Sequence, residues 1–263
     1  PALVAWTFIY LVIVRILLLH EPVTIGIAIA DIVEARVYPH LYFLWLIAGL
    51  YLVAPVLAAF LHRGGRRRAT YAAAGTLCFT LLVVMTYSVL AFKGAAEPIH
   101  VGALTFWIPY VGYFLAGYAL SLWRVHGRWL VLAVVGVLVF GAASLAAAAW
   151  PTELAVFRAV SPPDYLGVVV AALSICVFVV AVAFLDRIRV GPRLSRFVVT
   201  LSEASFGVFL VHLIVMLVPY ELLESYHART SVFSAAIAYL FVLVVSFAIS
   251  LGARRVPGLR LIF

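Results

Sequence analysis

Residues 165–185 read "YLGVVVAALSICVFVVAVAFL", a stretch without a single charged side chain. At the helical rise of about 1.5 Å per residue, such a stretch crosses the roughly 30 Å hydrocarbon core of a bilayer. The whole chain of 263 residues is 67% apolar and only 11% charged, whereas a soluble domain is about half apolar and a quarter charged. The composition therefore predicts an all-α, polytopic integral membrane protein.

Apolar blocks of similar length recur along the chain and define its predicted organisation. The eight predicted spans cover residues 2–19, 40–61, 71–92, 103–123, 129–150, 165–185, 199–219 and 231–252. The connections between them carry the charges and the turn-forming residues, and none is long enough for a soluble domain. We expect a helix bundle of about eight transmembrane helices, embedded in the lipid bilayer, that forms one domain over residues 1–263.

Basic side chains are distributed unevenly between the two sides of the predicted membrane. One set of connections holds thirteen arginines, whereas the opposite set holds four basic residues. Because cytoplasmic loops are enriched in Lys and Arg, this split predicts that both chain ends lie in the cytoplasm. The net charge of +8 is thus a topology signal and does not favour nucleic-acid binding.

Three ionisable residues stand out inside predicted spans, where such residues usually face a protein interior or a wet cavity. Arg15 lies toward the outer end of the first span, so its side chain could instead extend to the interface. Glu203 lies near the inner end of the seventh span, where it could pair with Arg196 or favour the positive end of the helix dipole. His212 lies deeper, about 20 Å across the same span.

Histidines provide the candidate polar surfaces of the predicted bundle. Ser205 precedes His212 by seven positions, so both share one helix face, which we expect to line an interior cavity; the alternative is that His212 only joins two helices by a hydrogen bond. His40 could face His20 across the first outer loop and bind a polar substrate or transfer protons. A solvated loop face is the alternative there. No histidine pair has metal-ligand spacing, so we predict no metal site.

Four segments resemble motifs of one protein family. They are "HLYFLWLIAGLYLVAP" at 40–55, "YVGYFLAGY" at 110–118, "SFGVFLVH" at 205–212 and "RRVPGLRLI" at 254–262. Each string alone is weakly specific, because apolar aromatic strings are common in membrane proteins. In this order they resemble membrane-bound acyltransferase family 3, and the resemblance covers most of the chain.

The resemblance implies O-acyl transfer from a cytoplasmic acyl-CoA, typically acetyl-CoA, to a hydroxyl of a cell-surface or exported glycan. It implies the inner membrane of a bacterium and no bound cofactor other than the donor. The residues expected to support the site are His212, Ser205, His40, Trp45, Arg15 and Glu203. Arginines of the inner loops would attract the phosphates of the donor, and the candidates are Arg63, Arg66, Arg124 and Arg128.

The chain also departs from the family pattern. Members usually have two further spans at the start, the first with an Arg followed along the helix by a His that is regarded as the catalytic base. No such pair occurs here, and Pro1 is not an initiator Met. We therefore expect the usual base to be missing and the chain alone to be inactive. A transporter or flippase of a polar or lipid-linked substrate, or a non-catalytic membrane subunit, remains an alternative.

Overall fold

The computed structural model describes residues 1–62, 64–95, 102–123, 125–185, 187–188, 191–222 and 231–263, and these ranges contain helices and no β-strand. The α-helices are α1 (Ala2–Phe8), which continues as a π-helical segment (Ile9–Leu18), α2 (Ile25–Val33), α3 (Tyr42–His62), α4 (Gly65–Phe92), α5 (Val111–Ser121), α6 (Arg128–Ala149), α7 (Ala155–Val160), α8 (Val168–Leu185), α9 (Pro192–Leu222) and α10 (Val232–Ala253). Short 3₁₀ turns cover Ile108–Tyr110 and Leu259–Leu261.

Six helices in the described ranges are long and apolar enough to cross a membrane, namely α3, α4, α6, α8, α9 and α10. The predicted count of about eight is therefore not confirmed. The first predicted span holds seven α-helical residues followed by ten π-helical ones. The fourth holds the eleven-residue α5 after turns and a 3₁₀ segment that contains Pro109. Turn formation thus shortens a stretch that composition alone makes apolar throughout.

The long helices keep most of their apolar surface exposed. Only 6% of the most apolar window of α6 is buried, and Leu138 and Leu145 on that helix remain 67% and 73% exposed. Large exposed apolar surfaces of this extent mark contact with a partner or a membrane. Together with the length of the helices, they indicate side chains that face lipid.

The described chain forms two compact units. Unit 1 comprises Pro1–Leu44 and Arg189–Phe263, and unit 2 comprises Trp45–Ile188. In unit 1, α9 and α10 pack along each other, and small residues allow the close approach, as in other membrane helix pairs. Gly207 of α9 lies against Ser250 of α10, and the buried Ser250 hydroxyl donates a hydrogen bond of 2.7 Å to the Ala204 carbonyl.

Hydroxyl side chains cap the N-termini of two helices of unit 1. The Thr24 hydroxyl accepts a hydrogen bond of 3.3 Å from the backbone N–H of Ile27 at the start of α2. The Ser231 hydroxyl accepts one of 3.2 Å from the N–H of Ser234 at the start of α10. Such caps satisfy backbone donors that the first helical turn leaves unpaired, and each stabilises a helix by about 1 kcal/mol.

In unit 2, α4 packs against α5 and α6 packs against α8. Gly112 of α5 lies so close to α4 that an added Cβ would be 2.7 Å from the Cα of Leu77. Gly136 of α6 lies against α8 in the same way, with 2.6 Å between such a Cβ and the Cys176 sulfur. A glycine at each contact therefore sets the distance between the helices.

Candidate functional site

Two histidines far apart in the sequence meet inside unit 1. The ring centroids of His40 and His212 are 5.4 Å apart, and the two planes are inclined by 78°. His40 lies in the turn that precedes α3, and His212 lies in α9. We call these two residues the histidine pair.

Aromatic rings enclose the histidine pair. The ring of Tyr10 lies 4.8 Å from that of His40, and the ring of Phe209 lies 5.1 Å from it, both edge-on. Tyr38 closes the same side, 4.5 Å from Tyr10 and 5.9 Å from His40. Only 8% of His40 remains exposed. The surroundings of the pair are therefore largely apolar, with phenol hydroxyls as the polar elements nearby.

Local backbone structure explains how each histidine reaches this position. Phe209 and His212 are three residues apart on α9, so they occupy neighbouring places on one helix face. The turn before α3 is closed by hydrogen bonds from the Leu41 N–H to the Tyr38 carbonyl and from the Phe43 N–H to the His40 carbonyl, at 3.0 and 3.2 Å. This turn fixes the His40 side chain at the entrance of α3.

The hydrogen bond of His212 determines its tautomer. The ring Nδ1 lies 2.7 Å from the carbonyl oxygen of Phe209. A carbonyl oxygen only accepts, so Nδ1 must carry the hydrogen and donate. In the neutral imidazole, Nε2 then holds a lone pair. His212 thus presents a hydrogen-bond acceptor and a proton acceptor at the ring atom that the helix backbone does not use.

His40 is buried without a hydrogen-bond partner. Neither ring nitrogen has one within the described residues. Burial, and to a smaller extent the neighbouring His212, lower the pKa of His40 to about 4, although the Leu210 backbone acts in the opposite direction. The ring is therefore neutral near pH 7. Buried polar groups are nearly always paired with protein or water, so the His40 ring nitrogens retain hydrogen-bonding capacity that a bound polar group could satisfy.

The other polar candidates on α9 lie elsewhere. Ser205 is exposed, and its hydroxyl donates to the Ser202 carbonyl of its own helix at 2.6 Å. The prediction that Ser205 faces the interior with His212 is wrong, because at this level α9 packs through Ala204 and Gly207. Glu203 forms an ion pair of 2.7 Å with Arg254, the residue directly after α10. This replaces the predicted partner Arg196.

Arg15 belongs to an ion-pair cluster beyond the first helix. Its guanidinium contacts the carboxylate of Glu21 at 2.6 Å and that of Asp31 at 2.7 Å. The Arg15 side chain is 15% exposed, so it does not extend freely to the interface. The arginine ties the π-helical segment to α2 and to the connection between them. From these ion pairs we assign Arg15 a structural role.

The family of the chain follows from a match along nearly its whole length. The family model described as an acyltransferase domain matches residues 1–255. The chain belongs to acyltransferase family 3. Membership and the six apolar helices together indicate an integral membrane acyltransferase. No curated protein and no solved structure matches the chain.

Two of the expected donor residues of this family 3 chain, Arg66 and Arg128, lie in unit 2. Arg66 stacks over Trp123 with 4.7 Å from the guanidinium carbon to the ring centroid, and Arg128 stacks over Trp129 at 5.3 Å. Both arginines are exposed, and stacking leaves the N–H edges of a guanidinium available. Arg63 and Arg124 lie outside the described residues. Trp45, a predicted site residue, is half-buried at the start of unit 2.

The sequence reasoning missed Tyr10 and Tyr38. Their hydroxyls were detectable signals, because a phenol within or beside an apolar span usually finds a hydrogen-bond partner when it is buried. No group of three or more His, Cys, Asp or Glu side chains that could hold a metal occurs within the described ranges. The imidazole and phenol groups around the histidine pair can form hydrogen bonds and transfer protons.

Proposed function

We propose that this family 3 protein is an O-acyltransferase that moves an acyl group, acetyl in the simplest case, from a cytoplasmic acyl-CoA to a glycan hydroxyl. Family membership supports acyl transfer in general. The donor, the glycan acceptor and a bacterial inner membrane are the expectations that accompany the family resemblance. The distribution of arginines supports a cytoplasmic position of both chain ends.

The histidine pair is the observation that carries this proposal. The Nε2 atom of His212 accepts a hydrogen bond from the acceptor hydroxyl and directs its oxygen toward the donor. His40 is neutral beside it, so it adds no positive charge that would oppose proton transfer toward His212. The surrounding Tyr10, Tyr38 and Phe209 rings limit access of water, which would otherwise compete with the acceptor for the acyl group.

The reaction balances without a further reactant. The acceptor oxygen attacks the carbonyl carbon of the thioester, a C–O bond forms, and the C–S bond breaks. The proton of the acceptor hydroxyl ends on the sulfur that leaves, so the products are an O-acyl ester and the free thiol. Arg66 and Arg128 are proposed to bind the phosphates of the donor through the edges of their guanidiniums, which suit phosphate oxygens.

The test uses cell membranes that contain the protein and acyl-CoA labelled in the acyl group. Label in the glycan fraction as a hydroxylamine-sensitive ester, absent from membranes of cells without the protein, would support the proposal. It would also show, against the expectation from the missing Arg–His pair, that the proton acceptor lies within this chain, with His212 or His40 as the leading candidate. Movement of an unmodified glycan or lipid-linked sugar across the membrane, without label transfer, would favour a transporter. If neither label transfer nor transport is observed, a subunit without catalytic activity is favoured.

A further inference from the structure

A cavity of about 740 Å³ that is open to the surface lies in unit 1, and its lining does not include the histidine pair. Among the described residues, its lining includes Arg254, Arg255 and Arg260, and Glu203 is the only acidic one. Ligand sites for small molecules commonly have volumes of about 300–1,000 Å³. The cavity therefore has the size of a small-molecule site, and its polar lining is mainly cationic.

The charges of the cavity are not balanced. Glu203 neutralises Arg254, since its carboxylate oxygen lies 2.7 Å from a guanidinium nitrogen. Arg255 and Arg260 have no acidic partner within the described residues and both are exposed to the cavity. The cavity thus carries two uncompensated positive charges.

Packing holds the cationic residues in place. Arg254 and Arg255 follow α10 directly, and α10 is joined to α9 by the buried hydrogen bond from Ser250 to the Ala204 carbonyl. Arg260 lies in the 3₁₀ turn that follows.

Trp6 of α1 anchors the residues after that turn. Its indole N–H donates a hydrogen bond of 2.8 Å to the Ile262 carbonyl, and its ring packs edge-on against Phe263 at 5.2 Å. The segment that carries Arg260 is therefore fixed at its far side against α1. An anchored backbone removes part of the ordering cost that binding would otherwise incur, although the exposed arginine side chains still become ordered.

We propose that this cavity binds a phosphate-bearing molecule, with Arg255 and Arg260 in direct contact with the phosphate oxygens. The planar guanidinium donates two parallel N–H bonds, and this geometry fits a phosphate group. Glu203 holds Arg254 in position and limits the number of phosphate charges that the cavity accepts. The phosphate belongs either to a soluble organic molecule or to the head group of an anionic lipid. This inference stands independently of the proposed acyl transfer.

The test measures binding of defined phosphates to the purified protein. Pyrophosphate and adenosine diphosphate serve as soluble probes for protein in nanodiscs of phosphatidylcholine, and nanodiscs containing phosphatidic acid serve as the lipid probe. The readout is the rise in the unfolding temperature, because a ligand that binds only the folded state stabilises it. Arg255→Gln and Arg260→Gln should each weaken binding about tenfold or more, as expected for charged hydrogen bonds.

Two further variants make the result specific. Glu203→Gln should tighten binding several-fold, since it removes the carboxylate that competes for Arg254, and it remains informative even if an arginine variant fails to fold. Arg196→Gln is the matched control, because this arginine lies on α9 outside the cavity lining. Its affinity should equal that of the unchanged protein.

The two probes distinguish the source of the phosphate. Stabilisation by the soluble probes that depends on Arg255 and Arg260 assigns the cavity to a soluble phosphate. Stabilisation by phosphatidic acid alone, with the same dependence, assigns it to a lipid head group. Stabilisation that Arg196→Gln reduces as much as Arg255→Gln does, or no stabilisation by either probe, would overturn the proposal.

Discussion

The hydroxyl of Tyr10 donates a buried hydrogen bond of 2.7 Å to the carbonyl oxygen of Leu210, on a helix 200 residues further along the chain. This bond joins the π-helical segment to α9 next to the histidine pair. In a regular helix, each carbonyl already accepts a hydrogen bond from the N–H four residues later. The Tyr10 hydroxyl is therefore a second donor to the Leu210 carbonyl. The contact therefore fixes one wall of the candidate site.

Removal of that hydroxyl should lower stability. We expect Tyr10→Phe to reduce the free energy of unfolding by about 0.5–1 kcal/mol, the usual range for a hydrogen bond in a protein or between membrane helices. Thermal unfolding in detergent measures it. Tyr51→Phe is the control, because Tyr51 is 71% exposed on α3. Equal unfolding temperatures for both variants would contradict the assigned contact.

Replacement of His212 should separate its functional role from a structural one. His212→Gln keeps a hydrogen-bonding group but removes the imidazole, and we expect the rate of label transfer to fall by about tenfold or more. Expression and unfolding temperature should stay close to those of the unchanged protein. His62→Gln, which changes an exposed histidine at the end of α3, should keep the full rate.

Two outcomes of the His212→Gln experiment would contradict a role of this residue in acyl transfer. If the rate of the folded variant is unchanged, the residue has no part in acyl transfer. If rate and unfolding temperature fall together, the imidazole mainly joins helices within unit 1.

Stability should depend on pH through His40. The pKa of this imidazole is about 4 in the folded protein, whereas an unperturbed histidine titrates near 6.5. The unfolded chain therefore takes up a proton between these values and the folded chain does not. The contribution of neutral His40 to the free energy of unfolding should be fully present above about pH 6.5 and should be lost as the pH is lowered toward 4.

The variant His40→Phe should flatten this dependence between pH 6.5 and 4, because it removes the group whose protonation differs between the two states. Unfolding temperatures measured over that range provide the test. His62→Gln is again the control and should retain the slope of the unchanged protein. An unaltered slope in His40→Phe would show that other groups cause the acid dependence.

A pair of glycines on neighbouring helices should respond oppositely to the same change. In Gly207→Ala, the added methyl would overlap the Ser250 hydroxyl and lie 2.8 Å from Phe263, so we expect a loss of about 1–3 kcal/mol. In Gly252→Ala nothing lies within 4 Å, and the better helix propensity should stabilise by up to about 1 kcal/mol. Equal effects in thermal unfolding would argue against close packing of α9 and α10.

Orientation in the membrane can be tested with single cysteines. In a background without Cys78 and Cys176, Arg67→Cys at the start of α4 should resist an impermeant thiol reagent on intact cells. Thr152→Cys in the connection before α7 should react, because the positive-inside rule places it outside. The two sites should become equally reactive after the cells are opened. Reaction of Arg67→Cys alone on intact cells would reverse the proposed topology.

Much of the helical architecture was predictable from the sequence. Residues 168–185 of the stretch predicted at 165–185 form α8, and nearly all of the apolar block predicted at 231–252 lies in α10. Both follow from the length and composition of one segment. The stretch predicted at 103–123 did not form one long helix, because Pro109 and the residues before it adopt turns. Composition does not distinguish a turn from a helix where every residue is apolar.

The candidate site was predictable only in part. The depth of His212 in its span marked it as a residue that needs a partner, and the position of His40 at the entrance of α3 was visible as well. That these two rings contact each other, with Tyr10 and Phe209 around them, depends on packing within unit 1. The exposure of Ser205 could not be predicted either. Its spacing from His212 indicates which face of α9 it occupies, but not which helix packs against that face.

The sequence by itself determined that the chain is helical, belongs in a membrane and resembles acyltransferase family 3, because hydrophobic length and local motifs are properties of contiguous residues. The tertiary structure decided the partners: Arg254 for Glu203, Glu21 and Asp31 for Arg15, and His40 for His212. Helical periodicity fixes the direction of a side chain relative to its own axis. Which group it meets depends on the packing of residues that are distant in the chain.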